Sequence, residues 1–122
     1  MLRAVLVFVA LSGLAEPRPQ PRPEPLREAR CPADAPPGCR AATGRVIAIE
    51  SVDPDGDGDL HVVAAGGNVT APGITVFDVR RGLRPAEDPR PGDQVTGAGP
   101  VFRGSYGQRQ IEVLVFRVRR SR

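Results

Sequence analysis

The residues best suited to chemistry are carboxylates in the stretch 51–63, which reads SVDPDGDGDLHVV. They belong to Asp53, Asp55, Asp57 and Asp59. Carboxylate oxygens are ligands that Ca²⁺ prefers, but the spacing excludes an EF-hand, because position 12 counted from Asp53 is Ala64 instead of glutamate. Two interpretations stay open: a weak Ca²⁺ site formed by the four aspartates, or a turn between strands, for which Asp-Gly pairs are typical.

The single histidine, His61, follows this stretch directly. One imidazole without a second nitrogen or sulfur ligand does not make a catalytic metal site, and the chain has no G-x-S-x-G motif for a nucleophilic serine. Asp59 lies two residues before His61, on the same face of a strand, so a carboxylate–imidazole hydrogen bond that orients a turn is expected. The sequence therefore predicts a protein that is not an enzyme, with no cofactor other than weakly bound Ca²⁺.

A second candidate site surrounds the turn Gly104–Gly107. Its residues are Arg103, Tyr106 and Arg109. A phenol ring can stack on a flat base or sugar, and the planar guanidinium fork suits phosphate, sulfate or carboxylate. The alternative is a hairpin whose polar side chains only keep an exposed edge soluble.

The charge of the chain is mildly basic and is carried by arginine alone. All 17 basic residues are arginine, and the formal net charge is +3. A charge of this size does not by itself indicate a nucleic-acid partner. The absence of lysine, beside many Ala, Gly, Pro and Val residues, is typical of a GC-rich coding bias.

The beginning of the chain predicts export and an extended arm. Residues 1–15 have the order of a signal peptide: Arg3, an apolar run too short to span a bilayer, and small residues before a cut after Ala15. Residues 16–40 form a Pro/Arg-rich spacer, in which alternating prolines exclude both helix and sheet. Cys31 and Cys39 close this spacer, and in an exported chain they predict a disulfide within the chain, or else dimer-forming or free thiols.

From residue 41 to 120 the pattern is all-β. Apolar and β-branched runs predict five strands, at 44–52, 60–65, 74–80, 94–103 and 108–120. The prolines of 81–93 leave room there for one helical turn, and the last strand, apolar on both faces, is expected at a central position. Five strands with a longer link after the third predict an OB-fold-like Greek-key barrel, preceded by the disordered arm.

Two segments carry a resemblance to a known family. D-G-D-L-H at 57–61 and V-T-G-A-G-P at 95–100 resemble the small secreted OB-fold proteins of bacteria, in which a D-G-D-x-H turn opens the second strand. The resemblance covers about residues 44–119. Gly107 and Ile111 agree with the closing hairpin of that family. The positions that depart are Tyr106, Gln108, Glu112 and Val113. The resemblance implies the fold and export more than it implies an activity.

Together these features predict a secreted or periplasmic, non-catalytic binding or interaction module of unknown ligand. The alternatives are a Ca²⁺-stabilised extracellular structural domain and a protein that binds oligonucleotides or oligosaccharides. The expected partners are an envelope component, an anionic glycan or another protein. No transmembrane helix is expected once the signal peptide is removed.

Overall fold

The computed structural model describes residues 3–6, 17–19, 25–50 and 56–121. Within these ranges the protein is all-β, with six strands and one turn of 3-10 helix. The strands are β1 (Cys39–Glu50), β2 (Leu60–Ala65), β3 (Ile74–Val79), β4 (Gln94–Arg103), β5 (Arg109–Glu112) and β6 (Val115–Arg119). The helical turn, Arg81–Leu83, lies in the link between β3 and β4.

The strands form one sheet that closes partly into a ring. The order is β1-β2-β3-β5-β4-β6, and β1 also pairs with β4. All pairs are antiparallel except β3 with β5, which run parallel. The long strand β1 makes closure possible, since residues 39–45 pair with β4 and residues 45–50 pair with β2.

The predicted strands agree with the structure to within one residue except at two places, and residues 51–52 of the predicted first strand lie outside the described residues. The first strand begins at Cys39, where residues 44–52 were predicted, because residues 39–43 gain their hydrogen bonds by pairing with β4. The predicted last strand, 108–120, is divided into β5 and β6, so the sheet has six strands where the sequence predicts five. β5 is central, between β3 and β4, whereas β6 pairs only with β4 among the described strands.

The division of the last strand is a β-bulge. Val101 pairs with Ile111 and Ala98 pairs with Val115, so three steps along β4 oppose four steps along the last strand. The extra residue falls at Val113–Leu114, where the Val113 N–H turns to the Asp78 carbonyl of β3 and the Leu114 N–H donates to Ala98. The bulge therefore joins β3, β4 and the last strand at one point.

The core fills the inside of the ring. Its buried side chains come from β1 to β5 and the loop after β2, and Phe77 is the largest of them. Phe77 packs against Phe116 of β6, with ring centroids 5.8 Å apart. Gly97 of β4 leaves the space that Phe77 occupies, since a Cβ there would lie 2.8 Å from the Phe77 ring. A single buried core of this size is what one small domain needs.

Residues 25–38 have no regular secondary structure, but they lie on the sheet. The Ala29 N–H donates to Thr96 Oγ1 of β4 at 2.9 Å, and Ala29 is buried. Cys31 and Cys39 form the predicted disulfide, with a Cα–Cα distance of 6.1 Å. Over residues 25–38 this differs from the disordered, solvated spacer predicted for 16–40, because tertiary hydrogen bonds and the disulfide hold this part, whereas residues 16 and 20–24 of that prediction lie outside the described residues. The predicted signal peptide falls outside the described residues apart from 3–6.

Candidate functional site

The β4–β5 turn holds its arginines in a defined geometry. Arg103 ends β4 and Arg109 begins β5, and the two residues pair directly across the strands. The Gly104 N–H donates to the Gln108 carbonyl at 2.8 Å, and Arg103 Nη1 donates to the Gly107 carbonyl at 3.0 Å. Gly107 has φ 77, which favours glycine and closes the turn. The predicted association of Arg103 with Arg109 therefore follows from a tight hairpin.

A shallow cavity of about 360 Å³ lies beside this turn. It is lined by Gly38, Arg40, Val101, Phe102, Arg103 and Arg109. Among the described residues, none of the three lining arginines forms an ion pair with a carboxylate. We call Arg40, Phe102, Arg103, Tyr106 and Arg109 the hairpin site.

Two aromatic rings of the hairpin site face solvent. Tyr106 is 78% exposed and Phe102 is 53% exposed. Tyr106 stands in the turn beside the cavity and does not line it; its N–H donates to Gln108 Oε1 at 3.0 Å. Exposed rings of this size lose contact with water when a flat ring or sugar face packs on them. The site therefore combines positive charge with apolar surface.

Sequence reasoning missed Arg40 and Phe102. Arg40 reaches the site because β1 pairs with β4, opposite Gly99, and no local pattern at residues 39–41 indicates that pairing. Phe102 could have been found from the sequence. It follows Val101, which packs against the core, and successive side chains of a strand point to opposite faces, so Phe102 lies on the other face of β4.

The aspartate stretch forms a turn over its described part. Gly56 and Gly58 have φ 71 and 79, and the Asp59 N–H donates to Asp57 Oδ1 at 2.9 Å. Arg84 Nη1 donates to the Gly58 carbonyl at 3.0 Å, so a guanidinium group already lies against this turn. Asp53 and Asp55 fall outside the described residues.

The metal prediction is not decided by this geometry. In the part of the chain that the structure describes, no group of three or more His, Cys, Asp or Glu side chains is arranged to hold a metal ion. Two of the four predicted ligands lie in the undescribed segment 51–55. The Ca²⁺ site therefore stays a prediction.

A row of titratable side chains crosses four neighbouring strands. The register aligns Glu50 of β1 with His61 of β2, His61 with Asp78 of β3, and Asp78 with Glu112 of β5. His61 Nδ1 lies 3.8 Å from Glu50 Oε2, and His61 Nε2 lies 3.6 Å from Asp78 Oδ1. We call these four residues the carboxylate row. The ion-pair partners of His61 within the described ranges are thus Glu50 and Asp78, where the sequence predicts Asp59.

Asp78 is the most perturbed member of the carboxylate row. The pKa of Asp78 is raised from 3.8 to about 7 by burial first and then by the nearby Asp59 and Glu112 carboxylates, against the lowering effect of His61. Gln110 Nε2 donates to Asp78 Oδ2 at 3.1 Å, whereas the buried Oδ1 has no hydrogen-bond partner among the described residues. The row can therefore bind and release a proton near neutral pH.

The glycosylation-type sequence Asn68-Val69-Thr70 serves the turn after β2. Asn68 has φ 54, and its Oδ1 accepts the Gly73 N–H at 2.5 Å. Thr70 Oγ1 donates to the Arg109 carbonyl and accepts the Val76 N–H. These hydrogen bonds tie the turn to β3 and to the hairpin site.

Comparison of the chain with models of protein families, with curated proteins and with solved structures gave no match. Over the described ranges no helix has the length and apolar character that crossing a membrane requires.

Proposed function

We propose that this protein is an exported binding module without turnover, built on an OB-fold-like barrel, and that it binds an acidic glycan at the hairpin site. The strand order β1-β2-β3-β5-β4, the β1–β4 pairing and the parallel β3–β5 pair support a Greek-key barrel of that kind. The predicted resemblance to small secreted bacterial OB-fold proteins agrees with this proposal.

The convergence of three guanidinium groups on one cavity is the observation that carries the function. Arg40, Arg103 and Arg109 come from two distant parts of the chain, and their mutual repulsion is relieved when an anion binds between them. Phe102 and Tyr106 add exposed rings on which the apolar face of a sugar can pack.

Two features favour a glycan over a single-stranded nucleic acid. The Cys31–Cys39 disulfide is typical of an oxidising, extracytoplasmic compartment, where nucleic acid is scarce. The net charge of +3 is small for a protein whose main partner is nucleic acid.

The test is a pair of double variants titrated with a hexagalacturonate oligosaccharide. Tyr106→Ala with Arg109→Ala removes a ring and a charge from the hairpin site, and we expect the Kd there to rise about tenfold, with a larger effect at low salt than at high salt. Ile47→Ala with Arg80→Ala removes one exposed apolar side chain and one charge from other positions and should leave that Kd within about twofold.

The free energy of unfolding of both variants should lie within about 1 kcal/mol of the parent's, because substitutions at exposed positions have small effects on stability. An unchanged Kd for Tyr106→Ala with Arg109→Ala would contradict binding at the hairpin site and would leave Tyr106 as a turn residue only. Tighter binding of an oligothymidylate than of hexagalacturonate would contradict the glycan ligand and indicate a nucleic-acid ligand. If the parent protein hydrolyses the glycan and His61→Ala abolishes that hydrolysis, the absence of turnover is contradicted.

A further inference from the structure

A second arginine-lined groove lies between the N-terminal segment and β6. Its volume is about 520 Å³, within the range of about 300–1,000 Å³ that ligand sites occupy. It is lined by Arg27, Glu28, Ala29, Arg30, Val115 and Arg117. We call it the arm groove. None of its residues belongs to the hairpin site, and sequence reasoning did not indicate it, because it exists only when residues 27–30 lie on the sheet.

The arm groove is a built feature. Arg117 of β6 pairs with Thr96 of β4, and Thr96 Oγ1 accepts a hydrogen bond from the Ala29 N–H. The hydrogen bond that holds residues 27–30 on the sheet therefore lies next to Arg117. Arg117 Nη1 also lies 3.4 Å from the Arg27 carbonyl that accepts its hydrogen bond. The disulfide begins one residue after Arg30 and anchors the other end of the segment.

The arginines of the arm groove have no acidic partner in the described ranges. Arg84 and Arg120 pair with Asp88 and Asp93, respectively, whereas Arg27, Arg30 and Arg117 form no ion pair there. Three exposed guanidinium groups around one concave surface repel each other, and an anion that binds two of them removes that repulsion and forms charge-assisted hydrogen bonds.

The remaining lining residues narrow the ligand class. Glu28 is exposed beside the arginines and can accept hydrogen bonds, so it favours a ligand that carries hydroxyl donors as well as negative charge. Ala29 and Val115 give an apolar floor. None of the described residues that line the groove is aromatic, so they offer no platform for stacking a base. Carboxylates together with free hydroxyls are the chemistry of an acidic sugar.

We propose that the arm groove is a second, independent binding site for a uronate-containing polysaccharide, with Arg27, Arg30 and Arg117 holding its carboxylates and Glu28 accepting its hydroxyls. The site does not depend on the hairpin site. It does depend on the docking of residues 27–30 on the sheet, so reduction of the Cys31–Cys39 disulfide should release these residues and disrupt the groove.

The test uses the hairpin variant Tyr106→Ala with Arg109→Ala as the host, so that binding at the hairpin site is weakened and the amides of the arm groove report their own site. Hexagalacturonate is titrated into this ¹⁵N-labelled full chain. We expect amide shifts at residues 27–30 and 115–117, and a Kd that rises about tenfold when Arg27→Gln and Arg30→Gln are added. Dithiothreitol should abolish the shifts at residues 27–30 while the spectrum of the sheet persists.

The matched control adds Arg80→Gln and Arg90→Gln, which remove the same charge from exposed positions elsewhere. It should leave the Kd within about twofold. An equal loss in this control would show general charge attraction and overturn the proposal, as would the absence of shifts at residues 27–30 and 115–117. Equal binding of neutral maltohexaose, or tighter binding of an oligothymidylate at the same amides, would overturn the uronate class.

Discussion

At the scale of single residues, Asp78 is the described carboxyl whose pKa the fold raises. Its carboxyl is held by one hydrogen bond from Gln110 and is surrounded by other acidic side chains. Its folded-state pKa of about 7 lies above the ordinary value of 3.8, so between these values the folded protein binds more protons than the unfolded chain. The free energy of unfolding therefore falls as pH rises from about 4 to about 7, and it is level above that.

Asp78→Asn should remove this dependence. The amide of the variant can accept the Gln110 hydrogen bond and donate toward Asp59, and it carries no charge. Relative to the parent, the variant should gain stability between pH 4 and pH 8, by at most about 4 kcal/mol, since one pKa unit corresponds to about 1.4 kcal/mol. Urea unfolding at several pH values measures the difference. Asp34→Asn, at an exposed position of the arm, should stay within about 0.5 kcal/mol throughout, and a parallel pH profile in both variants would contradict the assignment to Asp78.

Asp93 behaves in the opposite way, although it is also buried. Burial acts to raise its pKa, but N–H groups of Arg90 and Ser121 and the Arg120 guanidinium donate to its oxygens and lower it. The two carboxylates differ because Asp93 has a full set of donors while Asp78 has one. Counting donors at each buried oxygen, which requires the structure, decides the sign of each pKa shift.

At the scale of elements, the bulge in the last strand depends on Gly99. A Cβ at Gly99 would overlap the Glu112 carbonyl and lie 3.1 Å from the Leu114 nitrogen. Both are backbone atoms, which cannot rotate away as a side chain can. Gly99→Ala should therefore lower the free energy of unfolding by about 1–3 kcal/mol, as overpacking does, with loss of amide protection at Leu114.

Gly82→Ala is the matched control for this prediction. Gly82 has open space around its Cβ position, and its φ is not in the left-handed region. The substitution should change stability by less than about 1 kcal/mol, in the stabilising direction, because it reduces the freedom of the unfolded chain. Equal urea midpoints for the two variants would show that the close backbone contact at Gly99 is not needed.

The elements also show which parts of the fold local sequence can predict. β2, β3 and β4 begin where the apolar and β-branched runs of the sequence predict, and alternation of buried and less buried residues is clear only in β2. The early start of β1 and the bulge at Val113–Leu114 depend on pairing with β4, and no window of ten residues contains both partners.

The same limit applies to the candidate sites. Arg103 and Arg109 were predicted together because only five residues lie between them and a glycine turn joins them. The carboxylate row draws residues from four distant segments and the arm groove from two, so the way these segments pack had to be known first. Chemistry assembled across a sheet is hidden from one-dimensional patterns unless the pairing is given.

At the scale of the whole molecule, the N-terminal segment and the ring form one unit. Thr96 Oγ1 is the point of contact: it accepts hydrogen bonds from the Ala29 N–H and from Thr43 Oγ1, and it donates to the Ala42 carbonyl. The disulfide holds the segment near this hydroxyl, since Cys39 begins the strand that pairs with β4. The segment is thus attached by the disulfide and by hydrogen bonds at Arg27, Ala29 and Gly38, of which the one between Ala29 and Thr96 is buried.

Removing each attachment separately should have different effects. Cys31→Ser with Cys39→Ser frees the loop in the unfolded chain and should lower the free energy of unfolding by about 2–3 kcal/mol on a chain-entropy estimate. Thr96→Val keeps the disulfide but removes the acceptor of the Ala29 N–H, which leaves a buried donor unpaired at a cost of about 1–3 kcal/mol.

Urea unfolding measures both losses, and hydrogen exchange at Ala29 reports whether the segment stays docked. Exchange at Ala29 should become fast in both variants, while amides in the centre of β2 and β3 keep their protection. If Ala29 stays as protected in the cysteine variant as in the parent, the hydrogen bond to Thr96 alone docks the segment, and the disulfide acts only on the unfolded chain.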